Sequence, residues 1–396
     1  MKVYIVGTGA EGENSLTKEA KTAIDSAGLL IGAERMLKPY VGSGKEVFAG
    51  YRPEMIAEKL SSCEHSAAAV LMSGDCGFFS GAKKLIPLLA DHEVRIIPGI
   101  SSAAMFCSRL GISYEDMKFV TLHGRSSNIA VNVMLNERCF FLLGGEMTAA
   151  RVCRVLCSYG LSDVTVHIGT DLGYESESIT SGKAEELVET DPSGLTVMIV
   201  ENSCALGHIP SGIDDEEFRR STVPMTKSEV RCVAVAKLGI CRNSVVWDIG
   251  CGTGSVSVEA AYRCPDGTVC AFDKDPEAAE LTAENARLHG CDNIQVTAGS
   301  CPEALAGAAA PDKVFIGGSS GDMGGIFEAV HGKSPAADIA VTAVSLETLR
   351  QTVSCFERYG AAPQIVQISV TRTKRVGSHT MLQGQNPVFV IWGRLS

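Results

Sequence analysis

No run of about 18 apolar residues occurs in the chain, which excludes an ordinary membrane-spanning helix. The N-terminus passes straight into a strand-like segment, VYIV at 3–6, without a basic stretch, a long apolar core or a small-residue cleavage site. That argues against a secretory leader and for the cytoplasm. Fifteen cysteines are present, yet the paired two-residue gaps of zinc sites are missing; Cys153 with Cys157, Cys232 with Cys241 and Cys264 with Cys270 have other spacings. No metal site is therefore expected, and the thiols read as reduced, mostly buried small hydrophobes. Basic excess is lacking too: 46 acidic against 35 basic residues leave a net charge of −11. A general nucleic-acid binder needs a basic face and is disfavoured. An acidic small molecule would need a local basic patch against the overall field. Neither a Ser/His/Asp triad nor a metal cluster stands out.

What is present suits a globular protein of two domains: 396 residues, 45% apolar and 20% charged. Short β-rich runs alternate with helix-length stretches, which predicts an α/β class with mostly parallel sheets. In the first half, strands are predicted at 2–6, 68–72, 93–97, 118–122, 139–143, 164–169 and 195–200, with helices at 81–90 and 101–110. The second half alternates helix 227–238, strand 244–248, helix 256–262, strand 268–273, helix 276–289 and strand 294–298. Further strands follow near 313–316, 339–343, 364–370 and 388–392. Between the halves, residues 202–225 break the pattern with Gly207, Pro210, Gly212, an acid-then-base run and Pro224. The expected division is 1–204, a linker 205–224, and 225–396. Each half opens with a strand and a glycine-rich loop, VYIVGTGAEG and VVWDIGCGTG. No longer register of similarity joins them, so two cofactor folds are expected rather than a duplication.

In the second half the apolar strand at 245–249 ends in Gly250-Cys251-Gly252-Thr253-Gly254. Glycines let the backbone approach a ligand, and the following helix N-terminus turns free amides toward the same crevice. The spacing is Gly-x-Gly-x-Gly, not the Gly-x-Gly-x-x-Gly of a dinucleotide pyrophosphate. Asp248 beside the loop would repel a pyrophosphate and could pair with the ammonium of an amino-acid-bearing cofactor. Asp273, ending the next strand, is placed to accept two ribose hydroxyls. Together these point to an adenosyl cofactor with an amino-acid tail, namely S-adenosylmethionine (SAM). The competing readings are a purely structural strand–turn–helix and a nicotinamide dehydrogenase.

The stretches PMTKSEVR (224–231), WDIGCGTGSVSVEAA, GSCPEAL (299–305), PDKVFIGGSSG (311–321) and NPVFVIWG (386–393) occur in this order. Together they resemble the precorrin/cobalt-precorrin C15-methyltransferase (decarboxylating) domain of cobalamin biosynthesis, from about residue 212 onward. The resemblance implies that Thr226, Gly250, Cys251, Gly252, Thr253, Gly254, Asp273 and Cys301 line the cofactor. Where the family has Gly-Asp-Ala-Pro-Glu this chain has Gly299-Ser300-Cys301-Pro302-Glu303, so the acid that would meet the adenine is a serine. The loop Gly317-Gly318-Ser319-Ser320-Gly321 leaves room for a large flat substrate, or is a turn without ligand. The run Thr371–Arg375 is either a solvated loop or a carboxylate clamp carried by Arg372. Lys227 and Arg231 lie one helical turn apart and are expected at the mouth as substrate contacts.

The first half shows VYIVGTGAEG, then LMSGDCGFF (71–79), IPGISS (97–102) and LHGR (122–125), each after a predicted strand and so able to meet at one sheet edge. With LT at 16–17 and IGAER at 31–35, this resembles the tetrapyrrole (corrin/porphyrin) methylase family, and most nearly its precorrin C5-methyltransferase domains, over residues 1–204. The family implies SAM folded into a cleft between two α/β sub-domains. Contacts are then expected from Gly7, Gly9, Ser73, Gly74, Asp75, Ser101 and Ser102, with His123 and Arg125 for substrate carboxylates. His123 as a satisfied loop histidine and Asp75 as a turn stabiliser remain the plainer readings. Cys76 replaces the family's proline and is expected to loosen that turn.

The chain thus reads as an N-terminal tetrapyrrole-methylase fold followed by a Rossmann-like class I SAM-dependent methyltransferase domain. It would methylate carbons 5 and 15 of a polycarboxylate tetrapyrrole and remove one carboxylate. Methyl transfer needs alignment and exclusion of water more than an acid or base, so no catalytic residue is assigned. A soluble, cytoplasmic homo-oligomer is expected. Two rivals remain: methylation of another substrate, and a first half that serves only as a substrate-binding scaffold.

Overall fold

The strands sort into three large sheets and one two-stranded hairpin in a computed structural model that describes residues 1–9, 12–123, 127–319 and 321–395. The first sheet takes β1 (Lys2–Gly7), β2 (Leu29–Gly32), β3 (Glu46–Ala49), β4 (Ala67–Met72) and β5 (Glu93–Ile97) in the order β3-β2-β4-β1-β5, all parallel. Its central strands read KVYIVG and AAAVLM, the near-continuous apolar runs of strands covered on both faces. The second sheet takes β6 (Lys118–Thr121), β7 (Arg138–Leu142), β8 (Thr165–Thr170), β9 (Ser178–Lys183) and β10 (Thr196–Glu201) in the order β6-β7-β10-β8-β9.

The third sheet has β11 (Val245–Ile249), β12 (Thr268–Asp273), β13 (Ile294–Ala298), β14 (Lys313–Ile316), β15 (Asp338–Ala343) and β16 (Gln364–Ile368). A separate hairpin of β17 (Thr371–Val376) and β18 (His379–Gly384) follows, and β19 (Val388–Arg394) returns to the sheet. Its order is β13-β12-β11-β14-β15-β19-β16, with the five strands from β13 to β15 pairing parallel and β19 antiparallel to both of its neighbours, β15 and β16.

The α/β class agrees with the sequence pattern, but parallel pairing is confined to the first and third sheets and the β6–β7 ladder. The link from β8 to β9 is too short for a crossover helix, so those strands pair antiparallel. β2 and β3 escaped notice because each is only four residues long, and β9 because it is polar and exposed. The helix expected at 81–90 is broken: an α-turn, Ala82–Leu85, passes into a 3-10 turn, Ile86–Leu89, where Pro87 supplies no amide. The basic run 371–375 is a strand, not a loop.

The halves are fastened to one another by a carboxylate. Asp292, just before β13, accepts the backbone amides of Ile129 (2.6 Å), Ala130 (3.0 Å) and Val131 (3.0 Å) at the start of the first-half helix Ala130–Leu135. These are the orphan donors of that helix's first turn. Asn128 donates to the carbonyls of Pro265 and Gly267, and Lys118 pairs with Asp266 at 2.9 Å. Beneath the polar contacts, Val131 and Leu135 share one apolar cluster with Phe218 of the connecting segment and with Val246 and Val258 of the second half. Removing the carboxylate strands buried donors at a helix terminus. Asp292→Ala is therefore expected to cost about 2–4 kcal/mol of stability in urea unfolding. A loss below about 0.5 kcal/mol would mean that the amides find water instead.

Candidate active sites

In the third sheet the carboxyl ends of β11, β12, β14 and β15 open on a cavity of about 690 Å³. Gly250, Cys251 and Gly252 form one wall, Asp273 another, and Gly317, Gly318 and Ser319 a third. The amides of Gly250 and Cys251 both donate to the Phe272 carbonyl, which bends the loop back over β12. Gly252 has φ +57°, and a Cβ there would lie 2.6 Å from the Pro224 carbonyl oxygen. A Cβ on Gly250 would meet the backbone of Gly318 at 2.7 Å. The glycine loop is thus the point where the 224–231 and 311–321 motifs close on each other. Asp273 accepts the Gly252 amide (2.9 Å) and the Asp275 amide (3.1 Å). A carboxylate has about four acceptor positions, so two remain for hydroxyls of a ligand.

Thr226 and Lys227 also line this cavity, whereas several other expected contacts lie elsewhere. Thr253 is buried behind the loop, Gly254 is the N-cap of the helix Ser255–Arg263, and Cys301 is half-buried against the core below β14. Burial pushes the Cys301 thiol up to about 11, so it stays protonated there. Asp248 does not reach a ligand ammonium. It is fully buried behind the loop, accepts the Ser257 hydroxyl, and is pushed up to about 7 by burial.

Arg231 is a correction of another kind. Its guanidinium is fully buried and donates to Glu259 (2.7 Å), Asp215 (3.4 Å) and the carbonyls of Thr226 and Ile213. With its donors spent on the protein, it cannot serve as a substrate contact. Arg372 is likewise no free clamp. It donates to Glu229 at 2.6 and 2.7 Å, to Asp215 at 3.1 Å and to Ser228, and it holds the Glu229 carboxyl down to about 2. These pairs stitch the segment before Ser228 and the β17 strand to the helix Ser228–Leu238. Sequence reasoning missed the cavity's far side, formed by Val341–Val344, Thr348, Gln385 and Asn386; Asn386 alone lay within a recognised motif.

The first-half site lies at the carboxyl ends of β1, β4 and β5. Gly9 and Gly74 exchange backbone hydrogen bonds (3.0 and 3.1 Å), and a Cβ on Gly7 would strike the Gly99 amide nitrogen at 2.6 Å. Three loops from three strands therefore meet in van der Waals contact. Asp75 ties them, accepting the Gly77 and Gly99 amides at 2.8 and 3.0 Å. Cys76, in place of the family's proline, points inward from this turn. The buried thiol lies 3.5 Å from the Ile5 carbonyl and 3.4 Å from that of Ile97, and burial pushes it up to about 12.

Beside these loops are two adjoining lobes of about 340 and 560 Å³, between the first and second sheets. Gly9, Ser73, Gly74, Asp75, Ser102 and His123 line them. Ser101 instead caps the helix Ser102–Leu110, accepting the Ala104 amide. The His123 ring rests on Gly144, where a Cβ would come within 2.0 Å of Nδ1. Arg125 and Ser320 lie outside the described residues. Phe78, in an edge-to-face cluster with Phe119 and Phe140, supplies an apolar wall. Arg35 and Tyr174, also on the lining, were not anticipated as contacts, although Arg35 closes the IGAER motif. Among the described residues no group of three or more His, Cys, Asp or Glu could hold a metal, and no helix is long and apolar enough to cross a membrane.

Comparison with known proteins finds a separate family for each half of the chain. A family described as "Tetrapyrrole (Corrin/Porphyrin) Methylases" matches residues 2–188, and one described as "Precorrin methyltransferase domain" matches 216–394. A probable cobalt-precorrin-6B C(15)-methyltransferase (decarboxylating) from Pyrobaculum calidifontis is 41% identical, over 46% of this chain and 94% of its own length. A precorrin-6Y C(5,15)-methyltransferase [decarboxylating] from a Sinorhizobium species is 26% identical over 97% of this chain and 94% of its own. A solved structure, precorrin-6y C5,15-methyltransferase from Geobacter metallireducens GS-15, is 34% identical over 46% of this chain and 97% of that one, at TM-score 0.45.

Two outcomes are expected from the second cavity. Gly252→Val puts a branched side chain into the Pro224 carbonyl at a positive φ, and should weaken adenosyl-ligand binding there at least ~100-fold. Calorimetry should still register the first-half site; loss of both sites in a folded variant would contradict separate cavities. For Asp248 the native carboxyl titrates at about 7, well above an unfolded aspartate, so stability falls as pH rises through that window. Asp248→Asn removes this dependence, and its stability relative to wild type should climb by up to about 4 kcal/mol between pH 4 and 7.5. A difference that stays constant across that range would refute a buried protonated carboxyl.

Proposed function

Because the chain belongs to the family of precorrin C5,15-methyltransferases (decarboxylating), we propose that residues 1–204 carry the carbon-5 methylating site and residues 225–396 the carbon-15 methylating and decarboxylating site. The segment 205–224 joins them and lends Val223 and Pro224 to the second cavity. The chain is a SAM-dependent methyltransferase of cobalamin biosynthesis that acts on a precorrin-6-type tetrapyrrole. The observation that carries the division of labour is the presence of two separate glycine-lined cavities, each on its own parallel sheet and each under its own family match.

The second cavity suits an adenosyl ligand. A strand-end carboxylate, Asp273, has acceptor capacity left, and the glycine loop lets the Pro224 and Gly318 backbones close in around the cavity. In this reading Asp273 takes the ribose hydroxyls, Thr226 and the Gly250–Gly252 backbone take the amino-acid end, and Gly317, Gly318, Ser319 and Lys227 face the ring. In the first cleft Gly9, Ser73, Gly74 and Ser102 face the donor and His123 faces the ring, while Gly7, buried against Gly99, lets the loops close behind them. When bound, SAM supplies an electrophilic methyl group together with its own thioether leaving group. The protein's share is to hold a nucleophilic ring carbon in line and to exclude water; Phe78 does so in the first cleft, Ile316 and Val341 in the second. The carboxylate lost from the acetate arm leaves as carbon dioxide, its electron pair passing into the conjugated ring.

The fifteen cysteines are all free, which supports a reducing cytoplasm as the compartment. The open edge strand β5, with Ile96 49% exposed and Ile100 43% exposed just beyond it, supports a homo-oligomer. Purified protein given SAM and a precorrin-6-type ring should yield a product that has gained two methyl groups and lost one carbon dioxide by mass spectrometry. A ring recovered without added methyl groups would overturn the assignment. A single methyl at carbon 15 would leave the first half as a scaffold.

A further inference from the structure

We propose that Arg35 is the carboxylate receptor of the first-half cleft, an inference that rests on reading that cleft as the carbon-5 methylating site. Arg35 lies on the short helix Glu34–Leu37, which follows the fully buried strand β2 and so stands at the carboxyl edge of the first sheet. Its guanidinium borders both lobes of the cleft. It is the one Arg or Lys among the described residues that line them.

Its partners are neutral. Nη1 donates to the Tyr174 hydroxyl and Nη2 to the Ser73 hydroxyl, each at 2.9 Å, and no carboxylate among the described residues forms an ion pair with it. Neither acid on the lobe walls turns to it: Asp75 accepts the Gly77 and Gly99 amides, and Asp171 the Leu195 amide and the Ser176 hydroxyl. Arg231 and Arg372 in the other half make the contrast, since both are neutralised by acids. A planar cation held open by two hydroxyls is a preorganised fork. A carboxylate can displace the Tyr174 hydroxyl and gain two charge-assisted hydrogen bonds in its place. The contact also has a mechanical side, because Ser73 follows β4 of the first sheet while Tyr174 lies between β8 and β9 of the second.

That carboxylate comes from one of two sources, an acidic arm of the ring or the amino-acid tail of the methyl donor. The test uses the full chain as wild type, R35Q, R35K and Y174F. Carbon-5 and carbon-15 methylation are followed separately with a precorrin-6-type ring, and S-adenosylhomocysteine binding is measured by calorimetry. Carbon-5 methylation by the wild type settles the reading of the cleft first, so that a failure of Arg35 is distinguishable from a failure of the site.

R35Q should then raise the ring's KM at carbon 5 about 10–100-fold if the arm is the ligand, or weaken first-site S-adenosylhomocysteine binding by a similar factor if the tail is. Carbon-15 kinetics should not change, and R35K should recover part of the loss. Y174F releases the guanidinium and should lower rather than raise the affected constant. A simple staple between the two sheets predicts the opposite, equal damage from R35Q and Y174F. Equal damage, or R35Q leaving both the KM and the binding constant unchanged, overturns the proposal.

Discussion

The second site depends on one ionic contact that no solvent reaches, the pair between Arg231 and Glu259. Both side chains are fully buried, and Asp215 completes the group from the connecting segment. Burying a guanidinium and two carboxylates is costly unless every charge is matched, so the arrangement tolerates little displacement. What it positions is specific. The same guanidinium grips the Thr226 and Ile213 carbonyls, and the Asp215 carboxylate takes the Ser228 amide. The stretch carrying Val223 to Lys227 is thereby pressed onto the glycine loop, where a Cβ on Gly252 would already collide with it. One wall of the cavity is thus a chain segment from outside the β/α alternation, held by charge rather than by a ladder.

Much of this was legible from residue types alone. The apolar runs of β1, β4, β11 and β12 have one plausible home, the middle of a covered parallel sheet, and the acid and glycines at their ends mark the edge where ligands sit. Strands with no apolar stripe, β9 and the β17–β18 hairpin, carry no such signal because their neighbours, not their own burial, make them strands. The site was legible as loops and illegible as charges. Lys227, Asp273 and the Gly317–Ser319 stretch line the cavity as their positions suggested, while Arg231 and Arg372 do not. Sequence shows that an arginine is near a mouth, but not whether acids far along the chain, such as Asp215 and Glu259, have already claimed it.

The two halves solve the same problem by different means. In the second, a single Gly-x-Gly-x-Gly loop and a strand-end acid make the pocket floor. In the first, three glycine-bearing loops from β1, β4 and β5 touch, and Asp75 binds them together through backbone amides. Cys76 adds to that knot from below, its thiol placed where a proline would have offered rigidity but no donor.

The Asp292 contact has a consequence for the chain's modularity. Its carboxylate supplies the first turn of a helix with acceptors that the helix's own half does not provide, and the apolar side chains Val131 and Leu135 are covered by the same neighbour. Were the polypeptide divided between its two catalytic units, the first would be left with bare amides and a greasy patch, the second with an idle acid. The covalent link is therefore matched by a physical one: each unit has become part of the other's solvent shield, and neither is any longer a free-standing module.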